Sequence, residues 1–350
     1  MKLLIAIILC IFLFPLQADT SVQGRYLGAK TVDSPHWLKN SFLEFEEDIA
    51  EATAKNKRVM IYFDQDGCPY CAKLVEENFA DPEISRYIQQ HFDAIAINMW
   101  GDRQIVSIGG KPFTEKTFAS ALKVQYTPTV LFLDEQGKTA LRLNGYYPTD
   151  KFQLALRYAA EKQESKLSFN EFVRNRSEIA TGPLIEEDFF LRQANLQQLQ
   201  ADNARYLAVF FESPDCAECK VLHERVLTDQ PTRELLNKMD SVQFSIYSDA
   251  MIVTPDGTRL SQSEFARKLN IGYTPSVVFY DKRGGEVHRI DGFLKTFHFQ
   301  SSLAYVLEAA YQSEPSFQRY ISARGESLRE QGFDTDIWGY DSFHPAKSSH

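Results

Sequence analysis

Cysteine is scarce in this chain, with five among 350 residues. That excludes a small disulfide-stapled scaffold, which crowds many cysteines into a short sequence. Cationic excess is missing too: 38 Lys and Arg stand against 47 Asp and Glu, for a net charge of -9. An acidic surface without a basic block repels phosphate backbones, so nucleic acid is excluded as a partner. No apolar run reaches the roughly 20 residues a bilayer-spanning helix needs. The longest, Leu3 to Phe14, has twelve. No phosphate-loop pattern surrounds Gly109-Gly110, and the seven histidines show no pair at metal-ligand spacing. Haem attachment wants a His after a C-x-x-C, where Ala72 and Lys220 stand. No metal or cofactor is expected.

The N-terminal run suits a signal peptide better than a span. Met1-Lys2 gives a minimal basic head, Leu3–Phe14 an apolar core, and Leu16 and Ala18 fit the positions before a cleavage ahead of Asp19. Residues 1–18 are therefore expected to direct export, with an uncleaved anchor as the alternative. Cys10 would leave with the signal. Four cysteines then remain, Cys68, Cys71, Cys216 and Cys219, and they form two C-x-x-C pairs. With 44% apolar residues the chain has the make-up of a globular protein.

The chain is duplicated. VMIYFDQDGCPYC ends at Cys71 and LAVFFESPDCAEC ends 148 positions later at Cys219. YTPTVLFLDEQGK from Tyr126 returns as YTPSVVFYDKRGG from Tyr273, 147 positions on, an offset shared by Gly145 and Gly292. SFNEFVRNRSE from Ser168 matches SFQRYISARGE from Ser316. Each copy reads as helix, strand, C-x-x-C helix, capped helix, strand, hairpin, helix, two strands and a closing helix. Ser41 with Glu44 is expected to cap the first helix, and Asp81-Pro82 to start another. The domains are placed at 36–165 and 185–326, joined by a helical linker over 166–184. A polar tail over 327–350 is expected to be loosely ordered.

A C-x-x-C between a buried strand and the first turn of a helix has a chemical consequence. Free backbone N–H groups and the helix dipole favour negative charge there. The first thiol ionises more readily and attacks as thiolate, while the second, one turn inward, resolves the mixed disulfide. Cys68 and Cys216 are the expected nucleophiles, Cys71 and Cys219 the resolvers. Thr127-Pro128 and Thr274-Pro275 each precede a strand, where a cis bond is expected. That would leave the Thr backbone free to pair with an extended substrate. CPYC has no charge between its thiols, whereas CAEC carries Glu218, with Asp215 just before. Carboxylates oppose thiolate formation, so Cys216 should have the higher pKa and the second pair should hold its disulfide more firmly.

C-x-x-C after a strand, a later Thr-Pro and a strand pair ending in Gly145 or Gly292 resemble the thioredoxin superfamily. Asp81 to Ile84 and the hairpin before Thr-Pro resemble the exported, SoxW-type thioredoxins of bacteria. The resemblance implies two thioredoxin-fold domains in tandem, α/β, each a central mixed sheet flanked by helices. It also implies protein thiol:disulfide exchange, with Thr before Pro closer to reductases and isomerases than to strong oxidases. Partners would be protein thiols and disulfides in the periplasm, with a membrane electron donor as a further candidate. The chain departs from the family where thioredoxin has a buried acid six residues before its first cysteine: here stand Tyr62 and Phe210. Asp64, Asp66 and Glu212 lie closer to the motifs and are not assigned that role. The alternative reading is a peptide-binding or chaperone-like scaffold whose cysteine pairs are structural. His223, four residues after Cys219, is expected at the surface or in packing. Tyr126, Tyr146, Tyr147 and Tyr273 are candidates for an apolar rim around unfolded substrate.

Overall fold

A computed structural model describes residues 23–176, 182–341 and 343–346. The expected signal peptide, its cleavage point and Cys10 lie outside the described residues. Each copy forms a four-stranded mixed sheet. In the first, the order is Phe92–Asn98, Arg58–Asp64, Thr129–Leu133, Thr139–Asn144. The first two strands pair in parallel and the others antiparallel. Asp240–Ser245, Leu207–Glu212, Ser276–Tyr280 and Glu286–Asp291 repeat the arrangement. The parallel pair needs a crossover, supplied by the C-x-x-C helix and the one after it. The central strands are apolar on both sides because helices cover both faces of each sheet.

Local signals mostly hold. Asp81 accepts from the Glu83 and Ile84 amides with Pro82 at the first turn, and Ser261 with Glu264 forms a capping box. The first helix differs: it runs Phe45–Ala54 with no side-chain cap. Ser41 instead donates to Asp48 Oδ2 at 2.6 Å and accepts from the Leu43 amide. Asp48 competes for the hydroxyl that a capping box would use. Within the joining region, helices form at Phe169–Arg174 and Leu196–Asn203.

The two units do not hang from a tether. Their outer sheet faces have separate cores, one around Phe45, Ile97 and Phe118 and one around Leu207, Phe244 and Phe265. Their inner faces share one continuous core holding Tyr62, Val130 and Phe152 as well as Phe210, Phe279 and Phe299. The join is built around equivalent residues. Asn144 Nδ2 donates to Asp291 Oδ2 at 2.9 Å, and these two positions are 147 apart, as the repeat is. Tyr126 enters the second unit, donating to Arg289 O at 2.7 Å with its oxygen 2.8 Å from His288 Nε2. Tyr147 meets Tyr273 with ring centres 4.8 Å apart. Tyr126, Tyr147 and Tyr273 are thus buried in the join and form no rim around unfolded substrate.

The helix after each unit crosses to the other. Phe317, fully buried at the start of Phe317–Glu330, packs on Tyr126 at 5.3 Å and on His288 at 4.6 Å. Its counterpart Phe169 lies against Gly272, next to Tyr273. The tail is not loose. Phe333–Asp336 pairs in parallel with Tyr26–Leu27, and Ile337 is buried. Gly24 permits this crossing, since a Cβ there would fall on the Phe333 carbonyl. Apolar residues among the polar ones in the tail find the inter-domain surface, which the sequence alone does not display.

Phe317→Ala should cost about 3–4 kcal/mol, because it opens a cavity where both units and the last helix meet. Urea denaturation checks this. A loss under about 1 kcal/mol would mean that the join contributes little to stability.

Candidate functional site

Cys68 caps the helix Pro69–Lys73, and Cys216 caps Ala217–Val221. In each, the amide of the second cysteine donates to the first sulfur, at 3.0 Å in the first unit and 2.9 Å in the second. Both pairs are closed disulfides with Cα–Cα separations of 5.2 and 5.1 Å. The N-cap amides would stabilise a thiolate once the bond is opened. Both Thr-Pro bonds are cis. Thr127 lies against Cys68, its hydroxyl 3.4 Å and its carbonyl oxygen 3.5 Å from Sγ. Thr274 Oγ1 is 3.1 Å from Ser213 Oγ. Cys68, Cys71 and Thr127 therefore form one locus, while in the second unit Thr274 reaches the Cys216 motif through Ser213, whose carbonyl accepts from the Cys216 amide at 3.3 Å.

The loci differ in exposure. Cys68 and Cys71 are buried, as is Cys219, but Cys216 is half-exposed. Tyr70 faces the other unit: its hydroxyl accepts from the Lys295 amide at 2.8 Å. Its ring packs edge-on against His298 and Trp338. Glu218, at the corresponding place in CAEC, interacts with Tyr273 and Tyr146. The N-terminal segment also crosses the first motif, with the Lys30 amide donating to Gly67 O at 3.2 Å.

Two acidic groups stand nearer the chemistry than their sequence positions suggest. Asp64 and Cys71 line one small cavity of about 40 Å³, together with Tyr62 and Val75. Burial, with help from the charges of Asp66 and Glu115, pushes the Asp64 carboxyl up to about 6. A carboxyl titrating there is suited to exchanging a proton with a neighbouring thiol near neutral pH. Asp64 thus shares a cavity with Cys71, although it stands closer to the motif than thioredoxin's buried acid does. Glu212 occupies the matching place and is also buried, at 1% exposure. His223 is 3.0 Å from Glu212 Oε2 and 3.0 Å from Glu187 Oε1. It belongs to packing, as expected, but as a charged bridge. Burial works against its proton, yet Glu212 and Glu187 outweigh this and raise its pKa. An acid four residues before the first cysteine and a His four after the second is the pattern that announced the bridge.

The thioredoxin-like domain family model matches residues 45–160 and 192–307. The chain belongs to this family. It carries two of its domains in tandem, each with a C-x-x-C pair at the site of thiol–disulfide exchange. A search of the curated proteins finds no match. Among solved structures, the chain is similar to a thioredoxin-fold protein of Helicobacter pylori, with 24% identity over 35% of this chain and 80% of that one and a TM-score of 0.30. A Thermus thermophilus thioredoxin shows 24% identity over 39% and 86%, with a TM-score of 0.26. The C-terminal domain of Neisseria meningitidis DsbD shows 16% over 36% and 99%, with a TM-score of 0.27. The family assignment rests on the domain matches, and these structural likenesses add no argument about substrate.

The His223 bridge has a pH signature. A His whose folded pKa is raised contributes stability that is fully present below its unfolded value, about 6.5, and lost as pH rises through the folded one. The urea midpoint should therefore fall as pH rises above about 6.5. His223→Leu should flatten that slope and cost about 3 kcal/mol at the lower end, since it leaves Glu212 buried without its cationic partner. An unchanged slope in the variant would assign the pH dependence elsewhere.

Proposed function

We propose that this thioredoxin-like protein is exported and exchanges protein disulfides through both C-x-x-C sites, running as a reductase or isomerase. Cys68 and Cys216 attack, Cys71 and Cys219 resolve, and the Thr127-Pro128 and Thr274-Pro275 segments are the substrate-binding elements. The observation that carries the reading is the recurrence, in each unit, of a bonded cysteine pair at a helix start beside its own cis Thr-Pro. A duplicated scaffold used only for docking would have no need to keep both. Export rests on the apolar N-terminal run and on cysteine use confined, after its removal, to the two pairs. Among the described residues no helix is long and apolar enough to cross a membrane. Kinship to the SoxW-type thioredoxins and a membrane electron donor are parts of this proposal.

In detail, a substrate disulfide is attacked by the first thiolate, giving a mixed disulfide and releasing one substrate thiol. The second cysteine then attacks the first sulfur, closing the protein disulfide and releasing the other substrate thiol. The two pairs differ in nearby charge. Glu218 and Asp215 stand at the second motif, and opposing them to thiolate formation puts the Cys216 pKa above that of Cys68.

Two double variants, Cys216→Ser/Cys219→Ser and Cys68→Ser/Cys71→Ser, isolate the pairs for equilibration in graded thiol buffers. Both pairs should titrate, with the Cys216 pair at the more reducing potential. Its rate of alkylation should rise at a higher pH than that of Cys68. Loss of protein-disulfide reduction in Cys68→Ser/Cys216→Ser is the expected companion result. Retention of that activity would leave the cysteine pairs a structural role.

A further inference from the structure

Cys68 opens onto a cavity of about 260 Å³ formed between the units. Tyr126 and Thr127 line it from the first unit, Leu294 and His298 from the second, and Ile337 from the tail. Its mouth lies at Ser322 and Glu326, both exposed on the last helix. Pockets that enclose drug-sized ligands run on the order of 300–1,000 Å³. This one is smaller, and it has room for a single amino-acid-sized molecule but not for a length of polypeptide.

Side chains from the last helix already crowd the approach to Thr127. Gln65 Nε2 donates to Thr127 Oγ1 and to Gln318 Oε1, both at 2.9 Å. Gln318 Nε2 in turn donates to Gln125 O at 3.0 Å, and Gln125 Oε1 accepts from the Phe317 amide at 2.8 Å. A polypeptide adding to Thr127 would have to lift the helix that Phe317 anchors in the shared core. Among the described residues nothing comparable closes over Cys216, which is half-exposed between the exposed Asp215 and Ala217.

We propose that the inter-domain cavity binds a low-molecular-weight thiol of about cysteine size, which reacts at Cys68 while protein substrates react at Cys216. This rests on the reading that both pairs exchange disulfides and narrows it, putting small disulfides in place of protein disulfides at Cys68. From the oxidised state, the small thiolate RS⁻ attacks Cys68 Sγ. The Cys68–Cys71 bond breaks and its electron pair leaves on Cys71, which takes up a proton. A second RS⁻ attacks the bound R sulfur, giving RSSR and leaving the electron pair on Cys68. Two RSH become one RSSR, and the protein disulfide becomes a dithiol, a two-electron exchange. Run backwards, the same steps reduce the small disulfide.

Oxidised full-length protein tests this in one preparation. It is exposed to L-cysteine, or to a reduced unfolded protein at the same thiolate concentration, then acid-quenched and alkylated. Peptide mass spectrometry reads the two pairs separately. Cys68–Cys71 should be reduced at least ten-fold faster by L-cysteine than by protein thiols, and the rate should saturate with L-cysteine. Cys216–Cys219 should show no such preference. Equal rates at Cys68, or a rate that stays linear in L-cysteine, overturns the division of substrates and leaves exchange itself standing. If Cys68–Cys71 resists both reagents, the exchange reading falls at that pair as well. Ser322→Trp, which obstructs the mouth, should lower the L-cysteine rate at Cys68 at least ten-fold. An unchanged rate in Ser322→Trp overturns the cavity as the binding site.

Discussion

Burial of Tyr126 in the opposite unit is the contact on which the arrangement depends. It places the residue just before Thr127-Pro128 inside a neighbour's core, with its hydroxyl satisfied by Arg289 O. A buried phenol without a partner would be costly, and the Arg289 carbonyl makes its burial affordable only in this docking. Once Tyr126 is seated, Asn144 meets Asp291 and Phe317 closes over the ring. The catalytic loop of one unit thus becomes structural material for the other. That links site geometry to domain packing, so neither can be altered alone.

The same docking separates two sites of shared ancestry. Tyr70 and Glu218 hold the same place in their motifs, and each interacts with the other unit, Glu218 through Tyr146. Tyr70 is a large apolar ring and draws His298 and Trp338 around it. Glu218 carries charge and stays half-exposed, leaving its helix start open. The last helix adds to the asymmetry, since Phe317–Glu330 runs on for 14 residues while Phe169–Arg174 has 6. Among the described residues, one unit therefore acquires a cover of helix and tail with no counterpart on the other.

The repeat, the strand order within each unit and both cis Thr-Pro bonds were legible in the sequence, because each follows from local residue chemistry. The cysteine pairs were legible for the same reason. Three things were not. Ser41 and Glu44 match a helix-cap pattern, but Asp48 is one turn on and takes the hydroxyl. Asp64 and Glu212 look displaced from an acid's usual place, and only the direction in which the strand ends turns them inward. The tyrosines near Thr-Pro have the composition of a substrate rim, and an aromatic ring is equally at home in a domain join. Composition sets what a residue prefers to touch, and the partner surface decides which preference is met.

The pairing of Tyr26–Leu27 with Phe333–Asp336 brings the two ends of the described chain together beside the Cys68 site. Synthesis runs from the N-terminus, so the first unit and its cysteines are complete long before residue 337 has emerged. Leu294, Gln318 and Ile337, which line the cavity at Cys68, all belong to the later part of the chain. The enclosure of this site is thus an event in time, fixed by the order in which the chain appears.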